Sequence, residues 1–321
     1  MHRYRLVVIN LKFGRRKLNC LPNICDLSVD EIKYVGLHNA MATTEDGFFL
    51  GPNHEFPLEQ ALEAGFRAVN LDVGSCGGRL ELVHGHCRLG KKDPETTFAN
   101  INNFLERNPR DLVVITLQLD ENAGGEAPDM TELYNIMGNV PNFTKRIYEH
   151  KLFGGPWPKI GDLLNKQKQV IIFHYGGPLC YLNEYDCPPG FHDMFYFGAE
   201  TQFKFNSVAR LENRTYSCEI TRGANSRRRF FGLNNFITLP SFEAADIVNQ
   251  EAFVSQHVQA CETMNDLDVN FVYVDFWTRG NLPQYVQNAN RVLGDAPKKD
   301  SNGGRRSLFT RIQGYWSYFT N

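Results

Sequence analysis

Several short apolar runs in this chain end in side chains that can move protons or bind cations. His38 ends the first run, His84 ends a later one, and Asp275 ends the last. Imidazole titrates near neutral pH, so two histidines in one site can act as base and acid in the same reaction. A carboxylate beside one of the rings can orient it. These residue types therefore point to acid–base catalysis.

Each of the polar side chains at these positions also has a structural interpretation. A lone histidine at a strand end is more often hydrogen-bonded in place than catalytic, and Asp72 could cap a loop. Asp120 could bind the backbone of the turn that follows it, and His86 lies beside Cys87 as a residue of a disulfide loop. His174 either lines a pocket or packs in the core. The catalytic interpretation requires the histidines to converge on one site.

The elements that position these residues alternate between strands and helices. The predicted strands are Lys33–Leu37, Phe66–Val73, Arg79–Val83, Leu112–Leu119, Gln169–Phe173, Met194–Phe197 and Val269–Phe276. The predicted helices are Pro57–Ala64, Thr96–Glu106, Thr131–Met137, Ile160–Asn165, Phe242–Met264 with a break near Asn249, and Leu282–Val292. This alternation predicts an α/β fold, a TIM-like (β/α) barrel that is complete or slightly open.

The carboxyl ends of parallel barrel strands face one rim, so the polar strand ends should share a single mouth. The segment Asn206–Asn235 lacks clear periodicity and is predicted to be a long loop near that mouth. The aromatic end of the chain, from Phe309 to Phe319, is expected to pack on the barrel.

Length and charge limit the classes of protein that fit. The 321 residues suffice for one barrel domain, assigned to residues 20–321, after an N-terminal segment at 1–19. The formal net charge is -2 with acids and bases interspersed, so no broad basic surface for nucleic acid is expected. No apolar run approaches the roughly 20 residues of a membrane span.

The eight cysteines fall mostly into close pairs. The pairs are Cys20/Cys25, Cys76/Cys87 and Cys180/Cys187, with Cys218 and Cys261 left to form a fourth. This even pattern favours disulfides over a zinc site, which needs two close Cys/His pairs converging on one ion. With the sequons at Asn142 and Asn213, it predicts a secreted glycoprotein. A signal peptide is not evident, because the apolar run Leu6–Leu11 is short and interrupted by a polar residue.

Ordered motifs along the chain resemble the X domain of phosphatidylinositol-specific phospholipases C, most of all its secreted, cysteine-bearing members. The resemblance lies in Tyr34–Met41, Asn70–Val73, Leu82–His86, Thr97–Gln118 and the final strand Asn270–Trp277. It covers most of the chain between Cys20 and Asn290 and is more specific for the superfamily than for the substrate. It implies a phosphodiesterase that uses the substrate's own hydroxyl to make a cyclic phosphate.

The resemblance assigns roles position by position. It implies that His38 is the general base, that His84 is the general acid, and that Asp275 orients His38. An inositol pocket is expected to show basic side chains on the middle strands, so the headgroup need not be inositol. The candidates that this chain offers for the pocket are His174, Tyr175, Tyr196 and Lys204, with Gln118 as a further candidate. A phospholipid or other phosphodiester substrate is implied, with peripheral contact to a membrane.

Family members stabilise charge on the phosphate with either calcium or an arginine, and this chain departs from both patterns. Asn39 and Asp72 match calcium-ligand positions, and Asp120 could add to them. Asn70, however, stands where a glutamate is expected, Gln118 where another acid is expected, and Gly74 where the arginine would fall. A site formed by Asn39, Asn70 and Asp72, with Asp120 as a further candidate, has few charges, so a calcium affinity that is modest at best is the expectation.

Two other functions fit parts of the pattern. A glycerophosphodiesterase or a phospholipase D-like enzyme on the same barrel would also use two histidines, but it needs a firm Glu-x-Asp metal pair where this chain has Asn70-x-Asp72. A non-catalytic secreted binding protein that keeps the barrel is the alternative from a different class, and the weakened metal set favours it.

Overall fold

A computed structural model describes residues 23–151, 154–180, 187–223 and 229–295. The strands are β1 (Tyr34–Leu37), β2 (Ala68–Ser75), β3 (Leu80–Val83), β4 (Lys91–Lys92), β5 (Val113–Leu119), β6 (Val170–Tyr175), β7 (Phe191–Asp193), β8 (Gly198–Thr201), β9 (Ile220–Arg222), β10 (Phe230–Asn234) and β11 (Phe271–Val274). The helices are α1 (Leu58–Ala64), α2 (Pro94–Arg107), α3 (Met130–Asn139), α4 (Phe143–Arg146), α5 (Ile160–Asn165), α6 (Met194–Phe197), α7 (Val208–Glu212), α8 (Arg214–Ser217), α9 (Phe242–Val248), α10 (Glu251–Asn265) and α11 (Leu282–Asp295).

The strands form one curled sheet in the order β7-β6-β5-β2-β1-β11-β10-β8-β9. Every neighbouring pair from β7 to β8 along this path is parallel, and β9 joins β8 in the antiparallel direction. Among the described residues, β7 and β8 are not paired with each other, so the barrel is open there. The predicted TIM-like barrel, slightly open, is confirmed.

Alternation along the strands separates an inner core from an outer one. Tyr34, Val114, Phe173 and Phe271 point inward and pack together inside the barrel. Their neighbours along the strands point outward and pack against the helices, as Val113 does on β5. This period of two explains why strands buried on both faces read as continuous apolar runs in the sequence.

Helix α2 shows how the outer layer forms from the sequence. The Asp93 side chain caps its first turn by accepting a hydrogen bond from the backbone N–H of Thr96 at 2.7 Å, and Pro94 occupies the first helical position. Phe98 and Ile101 lie three residues apart and are fully buried against the sheet. Through them the helix joins the outer core that also contains the outward-facing side chains of β2 and β5.

Two predictions about elements are wrong. Met194–Phe197 is one helical turn, α6, rather than a strand, because Met194 and Phe197 are spaced by three residues and are buried on one face, and the strand begins only at Gly198. The predicted loop Asn206–Asn235 contains α7, α8, β9 and the barrel strand β10. The buried sequence of β10, FFGLN, is too short and too close to an arginine run to show strand periodicity.

The helix break predicted near Asn249 is confirmed and has a structural role. Helix α9 ends at Val248 and α10 begins at Glu251. The buried Asn249 side chain between them donates a hydrogen bond to the backbone carbonyl of Asp275 at 2.8 Å. The break thereby supports the end of the last barrel strand.

Disulfides join Cys76 to Cys87, Cys180 to Cys187 and Cys218 to Cys261, as the pairing pattern predicts. The predicted Cys20–Cys25 bridge involves Cys20, which lies outside the described residues, as do the N-terminal segment 1–19 and the aromatic end from Phe309. None of the helices in the described ranges is long and apolar enough to cross a membrane.

Candidate active site

The first histidine is anchored by the pairing of the first and last strands. Because Leu37 on β1 is level with Val274 on β11, the next residues, His38 and Asp275, emerge side by side at the mouth. His38 Nδ1 lies 3.0 Å from Asp275 Oδ1. When Nδ1–H donates a hydrogen bond to Asp275, the neutral ring carries its lone pair on Nε2, as a general base requires.

Two residues that the sequence did not reveal complete the surroundings of His38. The Asn53 side-chain amide donates to Asp275 Oδ1 at 2.8 Å, and it lies 3.2 Å from His38 Nδ1. The Phe236 ring stacks on the imidazole, with centroids 3.7 Å apart and planes within 4°. The base is thus held on one edge by polar groups and on one face by an aromatic ring.

The buried His54 supports the same corner through the backbone. Burial lowers its pKa from 6.5 to about 4, so the ring is neutral at physiological pH. Its Nε2–H donates a hydrogen bond to the backbone carbonyl of His38, with the two atoms 2.8 Å apart. His54 therefore fixes the main chain that carries the base.

The second histidine reaches the mouth from the antiparallel extension of the sheet. His84 follows β3, which pairs with β2 through Val73 and Leu82. With the amide of Asn39 oriented to satisfy its neighbours, the Asn39 oxygen lies 3.2 Å from His84 Nε2. Burial lowers the pKa of His84, as does charge on His38, while Asp275 and a hydrogen bond with the Gly51 backbone oppose the shift.

Asp72 lies behind Asn39, at the end of β2, and is almost fully buried. In the same amide orientation, the Asn39 nitrogen lies 3.1 and 3.3 Å from the two Asp72 oxygens. Burial raises the pKa of Asp72 to about 7, although charge on His38 opposes this. Asp72, Asn39 and His84 therefore form one connected chain of polar groups.

The floor of the mouth is a tyrosine that spans the barrel. A Cβ on Gly36 would lie 2.8 Å from the Tyr273 ring, so only glycine on β1 leaves room for it. The Tyr273 hydroxyl is 2.9 Å from the Thr116 hydroxyl on β5. The candidate histidines and carboxylates lie above this closed floor.

On the opposite side of the mouth, neighbouring strands place Gln118 and Tyr175 level with Asp72. The Tyr175 hydroxyl donates to Gln118 Oε1 at 2.7 Å. The guanidinium of Arg222, at the end of β9, lies 5.0 Å from the Tyr175 ring centroid and is paired with the Glu200 carboxylate. The mouth therefore contains a positively charged side chain, Arg222, that the sequence analysis did not predict.

Two of the predicted headgroup residues are not brought into this group. His174 points to the outer face of β6, is fully buried with its Nε2 3.7 Å from Asp193, and has a pKa lowered to about 4 by burial. Tyr196 packs edge-on against the ring of Phe197 at 4.9 Å. Phe195, rather than Tyr196, lies beside Tyr175, with ring centroids 5.3 Å apart.

The positions that depart from the expected charge-stabilising pattern are accounted for by packing and hydrogen bonds. A Cβ on Gly74 would lie 2.6 Å from the Ala123 Cβ and 2.8 Å from the Val83 side chain, so an arginine cannot be accommodated there without moving β3. Asn70 Oδ1 accepts a hydrogen bond from the backbone N–H of Asn39 at 3.1 Å. Asp120 Oδ1 accepts one at 2.9 Å from the backbone N–H of Asn122, two residues further on.

Comparisons with known proteins find relatives of the same fold. The "PI-PLC X domain-containing protein 1" of Arthroderma benhamiae is 22% identical over 279 residues, which cover 81% of this chain and 85% of that protein. The phosphatidylinositol-specific phospholipase C of Listeria monocytogenes superposes with a TM-score of 0.58 at 15% identity, covering 85% of this chain and 97% of that one. For the F249X mutant of the Staphylococcus aureus enzyme, the TM-score is 0.54 at 11% identity, covering 81% and 93%.

A family model supplies the assignment. The two structural similarities, at such low identity, establish the fold alone. The model for PI-PLC X, described as PI-PLC X 1, matches residues 24–290, which include every strand of the barrel. The chain therefore belongs to the PI-PLC X family.

Proposed function

We propose that this chain cleaves a phospholipid-like phosphodiester in the manner of a phospholipase C, with His38 as the general base and His84 as the general acid. The observation that carries the proposal is the separate anchoring of the two rings at one mouth. His38 is held by a carboxylate at 3.0 Å and His84 by a neutral amide at 3.2 Å. Two histidines with different partners suit the two opposite proton transfers of the reaction.

The reaction balances with these groups alone. His38 Nε2 takes the proton of a substrate hydroxyl next to the phosphate, and the hydroxyl oxygen forms a bond to phosphorus. The bond from phosphorus to the lipid oxygen breaks, and His84 gives its proton to that oxygen. Asp275 stabilises the imidazolium that forms on His38. The products are a cyclic phosphate and the lipid alcohol.

The headgroup side of the site is proposed to be the surface formed by Gln118, Tyr175 and Arg222. An amide, a phenol and a guanidinium bind hydroxyl and phosphate oxygens well, and the aromatic ring offers a face to a sugar-like headgroup. The solved relative from Listeria is described as phosphatidylinositol-specific. A hydroxyl-rich headgroup is therefore the substrate class we propose for this chain.

The proposed setting is an extracellular phospholipid surface. Three disulfides within the described residues support an oxidising compartment. The sequon residues Asn142 and Asn213 are both exposed, which is compatible with glycosylation.

Phosphorus NMR of the products from a panel of phosphodiesters tests the proposal. A cyclic phosphate resonance that appears with the wild-type protein, and not with His38→Ala, is the expected result. Phosphatidic acid as the product would instead support the phospholipase D-like alternative. Absence of turnover on phosphatidylinositol, phosphatidylglycerol and phosphatidylcholine would favour the non-catalytic binding protein.

A further inference from the structure

A small cavity lies behind the carboxylate that holds the proposed base. It is bordered by the end of β11, the loop after β10 and helix α9, and both Asp275 and Asn249 line it. The space in it that the centre of a water molecule can occupy is about 10 Å³. A cavity that holds one water molecule needs roughly this much room. The cavity therefore fits a single molecule of that size.

Two buried oxygen atoms of the lining residues have no donor from the protein. Asp275 Oδ1 lies 3.0 Å from His38 Nδ1 and accepts a hydrogen bond from the Asn53 amide at 2.8 Å. The other carboxylate oxygen, Oδ2, has no hydrogen-bond partner among the described residues, and the same is true of Asn249 Oδ1. Asp275 and Asn249 are only 4% and 0% exposed. Buried acceptors of this kind are costly unless a donor reaches them.

The orientation of the Asn249 amide is fixed by the backbone. Its Nδ2 donates a hydrogen bond to the carbonyl of Asp275 at 2.8 Å and lies 3.4 Å from the carbonyl of Phe276. A half-turn of the amide would direct its oxygen at these two carbonyl oxygens, which cannot donate. Asn249 Oδ1 therefore points away from them and is available as an acceptor.

The other polar side chains that line the cavity already have partners. Asn235 Nδ2 donates to the carbonyl of Val248 at 2.8 Å, and its Oδ1 lies 2.9 Å from His257 Nδ1. The Ser241 hydroxyl donates to the Glu243 carboxylate at 2.9 Å. The remaining lining side chains are apolar. Two acceptors without partners, in a cavity of this size, call for a small ligand that donates two hydrogen bonds.

We infer that this cavity binds one ordered water molecule, which donates its two hydrogens to Asp275 Oδ2 and Asn249 Oδ1. Asn249 is then a positioning residue for the proposed base, because through the water it holds the carboxylate that orients His38. A hydrogen bond to the charged form of a carboxylate favours that form, so the water also supports the negative charge of Asp275. The water site itself does not depend on the proposed function, whereas its effect on catalysis rests on it.

A high-resolution crystal structure of the wild-type protein tests the site directly. The expected result is an electron-density peak about 2.5–3.0 Å from both Asp275 Oδ2 and Asn249 Oδ1. A cavity without such a peak would overturn the inference, as would a protein donor in contact with Asp275 Oδ2. An anomalous signal at the peak after a soak in rubidium chloride would identify a monovalent cation instead of water, and would also overturn it.

Two variants at Ala245, which lines the cavity from α9, test the link to the base. Ala245→Val fills the space with methyl groups that cannot donate. Ala245→Ser is the matched control, because serine has a similar helix propensity and either leaves room for the water or supplies its own hydroxyl. In NMR spectra, Ala245→Val should shift the Nδ1–H resonance of His38, while Ala245→Ser should leave it near the wild-type position. An identical resonance in all three proteins would contradict the link.

Turnover gives a second, independent measurement. Ala245→Val should lower kcat about 10–100-fold, with little change in KM, because outer groups act through the residue they hold. The loss should be equal on an alkyl ester and on a nitrophenyl ester, since both need the base, and Ala245→Ser should retain most of the activity. A loss confined to the alkyl ester would contradict a role that acts through His38. If the wild type cleaves neither ester, the proposed function fails, while the crystal structure and the His38 resonance still decide this inference.

Discussion

The two histidines at the mouth differ in the chemical character of their partners. His38 Nδ1 is within hydrogen-bond distance of the carboxylate of Asp275, and the ring is stacked on Phe236. His84 is partnered by the neutral amide of Asn39. A carboxylate stabilises the imidazolium that forms when a base accepts a proton, whereas a neutral acceptor leaves the proton free to depart. The difference supports His38 as the base and His84 as the acid.

Replacing each histidine should separate the two roles. On a diester with an alkyl leaving group, His38→Ala and His84→Ala should each lower kcat/KM about 10²–10⁴-fold. On a nitrophenyl ester, His84→Ala should recover much of its activity, because nitrophenolate leaves without a proton. His38→Ala should stay poor on both substrates, since the attacking hydroxyl still needs its base.

Asp275→Asn is the companion variant for the base. It should show a milder form of the His38→Ala defect, because the His38 ring that acts as the base stays in place but loses its anionic partner. Steady-state kinetics on the two esters measures all three variants. Full turnover by both histidine variants on every ester that the wild type cleaves would contradict the assignment of His38 as the base and His84 as the acid.

Among the elements, the antiparallel pair of β8 and β9 brings the Arg222 side chain to the mouth. Arg222 ends β9, pairs with Glu200 on β8, and lies 4.2 Å from the ring centroid of Phe203. Its guanidinium also lies 5.0 Å from the Tyr175 ring centroid. The Arg222 side chain keeps about a quarter of its surface exposed, so an anionic group of a headgroup could reach it.

Removing this cation should weaken substrate binding. Arg222→Gln should lower kcat/KM roughly 10–100-fold, mainly through KM, which is the usual effect of losing a hydrogen bond to a charged group. The variant also leaves Glu200 buried without its partner, so its melting temperature should fall. Replacing both residues with glutamine should restore the melting temperature and keep the kinetic defect.

Arg210 provides the matched control, because its guanidinium also stacks on an aromatic ring, that of Tyr216 at 3.5 Å, but on helix α7. Arg210→Gln should leave kcat/KM unchanged. Wild-type kinetics in Arg222→Gln, with the melting temperature lowered as expected, would show that the pair has a structural role alone.

Much of this architecture could be predicted because most barrel strands are apolar runs that are followed by polar residues. Apolar runs gave β1, β2, β5, β6 and β11, and the polar residues after them lie at the mouth. The sequence could not reveal Arg222 or Glu200, since their strands are three and four residues long and lie next to aromatic and arginine runs without clear periodicity.

Asn53 and Phe236 escaped prediction for a different reason. Both lie in loops that follow β1 and β10, and no local pattern marks a loop residue that contacts a distant strand end. His174, in contrast, was predicted as a headgroup residue but does not face the mouth. It ends an apolar run, but the period of two turns it outward and Tyr175 inward.

Across the whole molecule, several buried histidines make the fold sensitive to acid. Burial lowers the pKa of His54, His174 and His192 from 6.5 to about 4, and that of His257 to about 3. The unfolded chain therefore binds protons between about pH 6.5 and pH 4 that the folded chain does not. Their contribution to stability is complete above this window and is lost as the pH falls through it.

The expected result is a denaturant midpoint that falls steadily from about pH 7 to about pH 5. Each such histidine adds up to about 1.4 kcal/mol per pH unit to the slope. Equilibrium unfolding followed by tryptophan fluorescence across this range measures it. A midpoint that does not change over these two pH units would show that the histidines are protonated in the folded chain.

Exposed apolar side chains are concentrated on two loops that touch beside the mouth. Phe49, Leu50 and Leu239 are 66%, 59% and 83% exposed. The loops meet where a Cβ on Gly51 would lie 3.8 Å from the ring of Pro240. Two exposed basic residues, Arg88 and Lys91, flank the backbone contact between Phe49 and Leu89. Apolar tips beside basic groups suit the interface of an anionic phospholipid bilayer.

The same loops contact both histidines. The Phe236 ring stacks on His38, and the Gly51 backbone is hydrogen-bonded to His84. A bilayer that receives these tips would bring lipid headgroups to the mouth. The double variant Leu50→Ser, Leu239→Ser should therefore reduce binding to phosphatidylcholine vesicles that contain phosphatidylserine by at least roughly tenfold, since each leucine loses its burial in lipid. Co-sedimentation measures this without reference to turnover.

Met264→Ser is the control for general loss of apolar surface. Met264 is 52% exposed and lies at the end of α10, before the strand that leads up to the mouth, so it belongs to the opposite end of the barrel. Its replacement should leave vesicle binding unchanged. Because the tips lie beside the mouth where we propose that catalysis takes place, the double variant should also lose activity on vesicles while keeping it on a dispersed short-chain substrate. Equal vesicle binding by the wild type and the double variant would show that the protein meets its substrate through another surface.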